Sequence, residues 1–128
     1  MNLLLDTHLL LWAASSPDRL SVKARDLLLD PANQLVFSAA SLWEISIKCG
    51  FGRTDFNVDP RRLWRMLQVS GYRELPVTSE HGFAVVDLPP LHKDPFDRIL
   101  IAQARAEDLQ LLTVDSTVAD YGAGIMKV

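Results

Sequence analysis

Three short apolar runs recur along the chain, and the first two are each followed closely by the start of a helix. Residues 2–6 read NLLLD, 34–38 read QLVFS and 109–115 read LQLLTVD. Runs this short and this apolar suit strands that are covered on both faces. Helical patterns lie between and after them: HLLLWAA at 8–14, SVKARDLLLD at 21–30, AASLWEISIKCG at 39–50, RRLWRMLQVS at 61–70 and PFDRILIAQARAED at 95–108. Short apolar strands alternating with helices imply a mostly parallel sheet with helices on both faces, an α/β fold. YRELPV at 72–77 and the tail YGAGIMKV at 121–128 predict two further short strands.

Helix boundaries are written into the same stretches. Ser21 and Ser38 stand where N-caps belong, and Asp59-Pro60 and Asp94-Pro95 each pair a capping carboxylate with proline at the first helical position. Thr78 or Ser79 opens a short helix. Pro31, Gly50 and Gly71 mark helix ends. At 128 residues the chain is expected to be one domain spanning 1–128, long enough to bury roughly two-thirds of its unfolded surface. The N-terminal apolar run lacks a basic leader and is interrupted by Asp6-Thr7-His8, so it reads as structure rather than as a signal or a membrane span. One cysteine, Cys49, cannot form an internal disulfide, so a reducing, cytoplasmic location is expected. The formal net charge of −3 argues against broad electrostatic capture of nucleic acid or anionic membrane.

Parallel sheets carry their sites beyond the carboxyl ends of the strands. Asp6 and Asp115 end predicted strands, while Glu44 and Asp97 lie one to two turns inside helices. Four carboxylates brought together would repel one another unless cations intervened. An all-oxygen set suits a hard divalent ion, Mg²⁺ or Mn²⁺, and such sites commonly serve phosphoryl chemistry by activating a water. Each acid also has a plainer reading. Asp6 can end a strand and cap the next helix. Glu44 stands four residues before Lys48, the order of a helix-surface ion pair. Asp97 can serve the helix dipole, and Asp115 can be a turn aspartate. Asp94 is fully explained as an N-cap.

At these residues the chain resembles the PIN-domain ribonucleases, and among them the VapC-like toxins of prokaryotic toxin–antitoxin modules. The resemblance runs through LLLDTHLLLW at 3–12, SAASLWEISIKCGFGR at 38–53, LPPLHKDPFDRILIAQA at 88–104 and LLTVDSTVADYG at 111–122, in that order. It implies a three-layer α/β/α PIN-like domain and an endoribonuclease dependent on Mg²⁺ or Mn²⁺. It also implies that Asp6, Glu44, Asp97 and Asp115 bind the metal and are catalytic, and that RNA is cut to 5′-phosphate and 3′-hydroxyl ends. A protein antitoxin that blocks the acidic groove and a homodimer are the implied partners. The residues after Asp115, STVAD, lack an aromatic often found a few positions on in relatives. A non-catalytic PIN-fold interaction module is the alternative, disfavoured because all four acids are present. A phosphate-receiver domain of similar size is disfavoured because only one acid follows the first strand.

Other residues carry weaker signals. Thr7 and Thr113 flank strand-end acids and are placed to orient a carboxylate, or simply to cap and pack. His8 and His92 are read as capping, packing or loop residues, and His81 as lying on a partly exposed helix. Trp12, Trp43 and Trp64 are expected to fill core or interface, and Cys49 to be an ordinary packed thiol. Arg61, Arg62 and Arg65 form a basic cluster that reads as a solvated face. Arg53 and Arg98, nearer the acids, are the candidates for contact with an RNA backbone.

Overall fold

The computed structural model describes residues 1–52 and 56–128. Among them, strands β1 (Asn2–Leu5), β2 (Gln34–Ser38), β3 (Arg73–Leu75), β4 (Gln110–Thr113) and β5 (Ile125–Lys127) form one sheet in the order β3-β2-β1-β4-β5. Every neighbouring pair is parallel. The helices are α1 (Thr7–Ser15), α2 (Val22–Leu29), α3 (Ala39–Gly50), α4 (Pro60–Val69), α5 (Ser79–Ala84), α6 (Pro95–Ala106) and α7 (Ser116–Ala119). No helix among the described residues is long and apolar enough to cross a membrane.

The period of two along a strand explains the apolar runs. Leu3 and Leu5 of β1, with Phe37 and Leu112, face a core made with Leu9 and Leu10 of α1, Ile45 of α3 and Leu63 and Leu67 of α4. Leu4, with Val36 and Leu111, faces a second core made with Leu100, Ile101 and Ala104 of α6 and with Val118 and Tyr121. Both faces of the sheet are therefore dry. Register sets Leu4 between Val36 and Leu111 on the neighbouring strands.

Caps fall where the sequence placed them. Ser21, Ser38, Asp59, Thr78 and Asp94 each accept a backbone N–H of the helix they precede. Gly71 follows α4 with a φ of +86°, a left-handed conformation that glycine adopts without steric penalty.

Two expectations about side chains are refined. His81 lies on a partly exposed helix, as expected, but its own side chain is buried, because it completes a capping box. Its Nδ1 accepts the N–H of Thr78 at 3.0 Å, which leaves the ring proton on Nε2, directed at Glu107 Oε1 2.9 Å away. Trp43 and Trp64 do not fill the core: they are 63% and 42% exposed. Trp43 instead packs edge-on against Phe96, and the Trp64 indole N–H donates to Glu74. Trp12 is half-buried beneath the Arg19 guanidinium, and Cys49 is also half-buried. Arg61, Arg62 and Arg65 are solvent-exposed, as expected.

Leu4→Ala removes a fully buried side chain between two neighbouring strands and is expected to destabilise the fold by about 2–5 kcal/mol. Leu29→Ala, at a position 74% exposed, is expected to fall within about 0.5 kcal/mol of wild type. Urea denaturation of both variants measures the difference.

Candidate active site

The chain lays down β1, β2 and β3 in one direction across the sheet, then returns to place β4 on the other side of β1. Connections diverge at that switch point and leave a crevice at the carboxyl ends of β1 and β4. Asp6 is the first residue beyond β1, and Asp115 lies two residues beyond β4. Asp6, Glu44, Asp97 and Asp115 all line one cleft of about 470 Å³ here, together with Thr7, His8, Trp12, Lys48, His92, Asp94 and Val114.

Each acid is held by a different element. Asp6 caps α1: its Oδ1 accepts the N–H of Leu9 at 2.9 Å. Its Oδ2 accepts the Thr113 hydroxyl at 2.7 Å and the N–H of Val114 at 3.2 Å, tying β1 to the end of β4. Thr113 Oγ1 also accepts the N–H of Asp115 at 3.0 Å, so one threonine joins two of the acids. Glu44 points inward from α3 and is 3% exposed. Its Oε1 accepts the Thr7 hydroxyl at 2.7 Å, and its Oε2 pairs with Lys48. The pair with Lys48 exists, but Glu44 is buried rather than on the helix surface, which corrects that plainer reading. Thr7 and Thr113 thus orient carboxylates.

Asp97 is the third residue of α6, and Asp94 Oδ1 accepts the N–H of Phe96 at 2.8 Å and that of Asp97 at 3.3 Å. Its Oδ2 accepts a hydrogen bond from His92 Nε2 at 2.6 Å. Asp115 caps the short helix α7 through Oδ1, which accepts the N–H of Thr117 at 2.7 Å. Its Oδ2 lies 3.8 Å from the same His92 nitrogen.

Crowding shows in the electrostatics. Burial raises Asp97 from its ordinary 3.8 to about 6; Asp94 beside it pushes the same way, and the hydrogen bond from His92 only partly opposes this. Burial also raises Asp6, against the hydrogen bonds from Thr113, Leu9 and Val114 that favour its charge. A divalent cation would relieve this strain, and the donor set suits one. His92, Asp97 and Asp115 each offer a donor atom within 4.8 Å of the other two. Asp6 and Glu44 are turned toward threonine hydroxyls, yet a carboxylate oxygen that accepts one hydrogen bond keeps a further lone pair for a metal or its water.

Two expectations shift. Arg98 does not point its guanidinium at the groove. It is consumed within the fold, where Nη1 donates to the carbonyls of Pro89 and His92 and to the Tyr121 hydroxyl, and Nη2 donates to the carbonyl of Val85. Arg53 lies outside the described residues. His92, read as a loop residue, instead sits between two of the acids. The local signal was its place five residues before Asp97, which does not by itself say that the loop folds back.

Comparison with known proteins agrees with this geometry. Residues 3–124 match the family model described as the PIN domain. The chain is 28% identical over 121 residues to Ribonuclease VapC22 of Mycobacterium tuberculosis, covering 94% of this chain and 92% of that protein. Among solved structures, the fold is similar to VapBC2 from Rickettsia felis bound to a promoter DNA fragment, with TM-score 0.71 and 14% identity over 100% of this chain and 98% of that one. It is also similar to VapBC-1 from nontypeable Haemophilus influenzae, with TM-score 0.66 and 16% identity over 100% and 97% of the two chains.

The raised Asp97 has a consequence for stability. Without divalent ions, the folded chain holds a proton there more tightly than the unfolded chain. That contribution is complete below about pH 3.8 and is lost as pH rises through about 6. A rise of this size corresponds to at most about 3 kcal/mol. Asp97→Asn in EDTA is therefore expected to be more stable than wild type at pH 7 by about 1–3 kcal/mol, with the gap shrinking toward pH 4. Urea denaturation at both pH values measures this, and equal stability at pH 7 would mean that the carboxylate is not strained.

Proposed function

The chain belongs to the PIN domain family, and from that premise we propose that it is a Mg²⁺- or Mn²⁺-dependent endoribonuclease acting as the toxin of a toxin–antitoxin pair. The observation that carries this reading is the gathering of Asp6, Glu44, Asp97 and Asp115, from four separate segments, into one cleft, where burial raises Asp6 and Asp97. Such a pocket would repel RNA while empty of cations.

Asp6, Glu44, Asp97 and Asp115 would hold the divalent ion, directly or through water. Once bound, the ion would supply neutralising charge and an activated water at neutral pH. The threonines act before any substrate arrives: Thr113 and Thr7 fix the orientation of Asp6 and Glu44. Lys48, paired with Glu44 in the cleft wall, sets a positive charge where a phosphate approaches. Attack in line on phosphorus expels the 3′ oxygen and leaves 5′-phosphate and 3′-hydroxyl ends. This path has no use for the 2′-hydroxyl, so selection for RNA rests on shape and on unpaired, accessible bases.

The named relative is a ribonuclease, and the similar structures from Rickettsia felis and Haemophilus influenzae are VapBC assemblies. These support a protein antitoxin as partner of this chain. We propose further that it blocks the acidic cleft and that the chain itself assembles as a homodimer.

Asp97→Asn is expected to lower metal-dependent cleavage of single-stranded RNA by about 100-fold or more while the fold persists. Asp94→Ala is expected to cost about 1 kcal/mol through the lost cap and to keep most of the cleavage. Gel assays with Mn²⁺ and EDTA controls check both. Full cleavage by Asp97→Asn would remove the assignment. A wild-type chain that neither cuts RNA nor gains thermal stability with Mn²⁺ would be a non-catalytic module.

A further inference from the structure

His92 presents a ring nitrogen to the cleft that an acidic, all-oxygen centre does not use. We propose that His92 Nε2 is itself a ligand of the divalent ion, beside Asp97 and Asp115, so that the centre is a mixed nitrogen–oxygen site favouring Mn²⁺ over Mg²⁺. This inference rests on the metal-dependent reading above and names a ligand that the four-acid set does not contain.

Position is the first argument. Nε2 lies 2.6 Å from Asp97 Oδ2 and 3.8 Å from Asp115 Oδ2, and the three donors sit within 4.8 Å of one another. Adjacent ligands of an octahedral ion with bonds of about 2.1 Å stand about 3 Å apart, and opposite ligands about 4.2 Å. The Asp97–His92 contact has to open by only a few tenths of an ångström. The His92–Asp115 spacing of 3.8 Å has to close by about 0.8 Å or open by about 0.4 Å to reach one of them.

The second argument is how firmly the backbone of His92 is held. Its N–H donates to the Tyr121 hydroxyl at 3.0 Å, and its carbonyl accepts Arg98 Nη1 at 3.3 Å. Arg98 Nη1 also donates to the Pro89 carbonyl at 3.1 Å and to the same Tyr121 hydroxyl at 3.1 Å, and Nη2 donates to the Val85 carbonyl at 3.2 Å. One guanidinium thus ties the Val85–Asp87 turn and the loop up to His92 to α6. These bonds fix the backbone from which the ring reaches Asp97 and Asp115.

The third argument concerns donor chemistry. A ring nitrogen would complete one ligand set with the Asp97 and Asp115 carboxylates, which lie beside it. Imidazole nitrogen is a softer donor than carboxylate oxygen, and it favours first-row divalent metals over Mg²⁺.

Pulsed EPR of the full chain loaded with one Mn²⁺ tests the assignment without measuring activity. Wild type is expected to show a coupling from directly bound ¹⁴N, converted to a ¹⁵N coupling when histidine alone is ¹⁵N-labelled. His92→Gln is expected to lose it and to bind Mn²⁺ about tenfold or more weakly by calorimetry, with a smaller loss for Mg²⁺. His8 lines the same cleft, so His8→Gln serves as the control and is expected to keep the coupling; it also preserves the test should His92→Gln fold poorly. Bound Mn²⁺ without nitrogen coupling overturns this inference and leaves the metal-dependent reading standing, as does a coupling lost in His8→Gln or kept in His92→Gln. Failure of Mn²⁺ to bind at all overturns both.

Discussion

β1 runs parallel between β2 and β4 with its leucines buried on both faces, and the rest of the molecule depends on that placement. The strand can neither slip nor turn, because a shift of one residue would exchange Leu3 and Leu5 for Leu4 between two cores already filled. Its carboxyl end is therefore fixed where the chain order reverses across the sheet. Asp6 leaves the sheet at that point. The bonds from Thr113 and Val114 to its carboxylate then tie down the end of β4 and, through Thr113, the backbone of Asp115.

The acids of the cleft are structural groups as well as chemical ones. Asp6 and Asp115 cap helices with one oxygen each, and Asp97 sits in the first turn of α6. Helix N-termini offer unpaired N–H groups and partial positive charge, which help to hold carboxylates in a buried place. The neighbours Asp94 and Asp97 show how the labour divides. Asp94 spends its Oδ1 on the first turn of α6, while Asp97 has its Oδ2 against His92 and the cleft. Like charge from Asp94 adds to the burial that raises Asp97. A centre built this way suits cations, in keeping with the metal-dependent reading proposed above.

The positive groups are equally informative. Arg98 stands next to Asp97 in sequence, yet it faces the loop and Tyr121, spending its donors on protein acceptors. Tyr121 lies six residues beyond Asp115, past the stretch that lacks the expected aromatic, and its hydroxyl joins Arg98 to the backbone of His92. The groups that hold the site thus extend one layer behind the acids.

The amino-acid sequence alone determined the alternation of strands and helices, the parallel sheet and the caps at Ser21, Ser38, Asp59, Thr78 and Asp94; the choice of the four acids came with the family resemblance. The elements and caps follow from local rules, because periodicity and capping are properties of neighbours in the chain. Tertiary structure decided the burial of His81 against Glu107, the exposure of Trp43, the inward turn of Glu44, the clamp of Arg98 and the place of His92 between two carboxylates. Each depends on segments that meet only when helices pack on the sheet. The direction of a single side chain there is set by which distant partner satisfies it, and no local pattern records that choice.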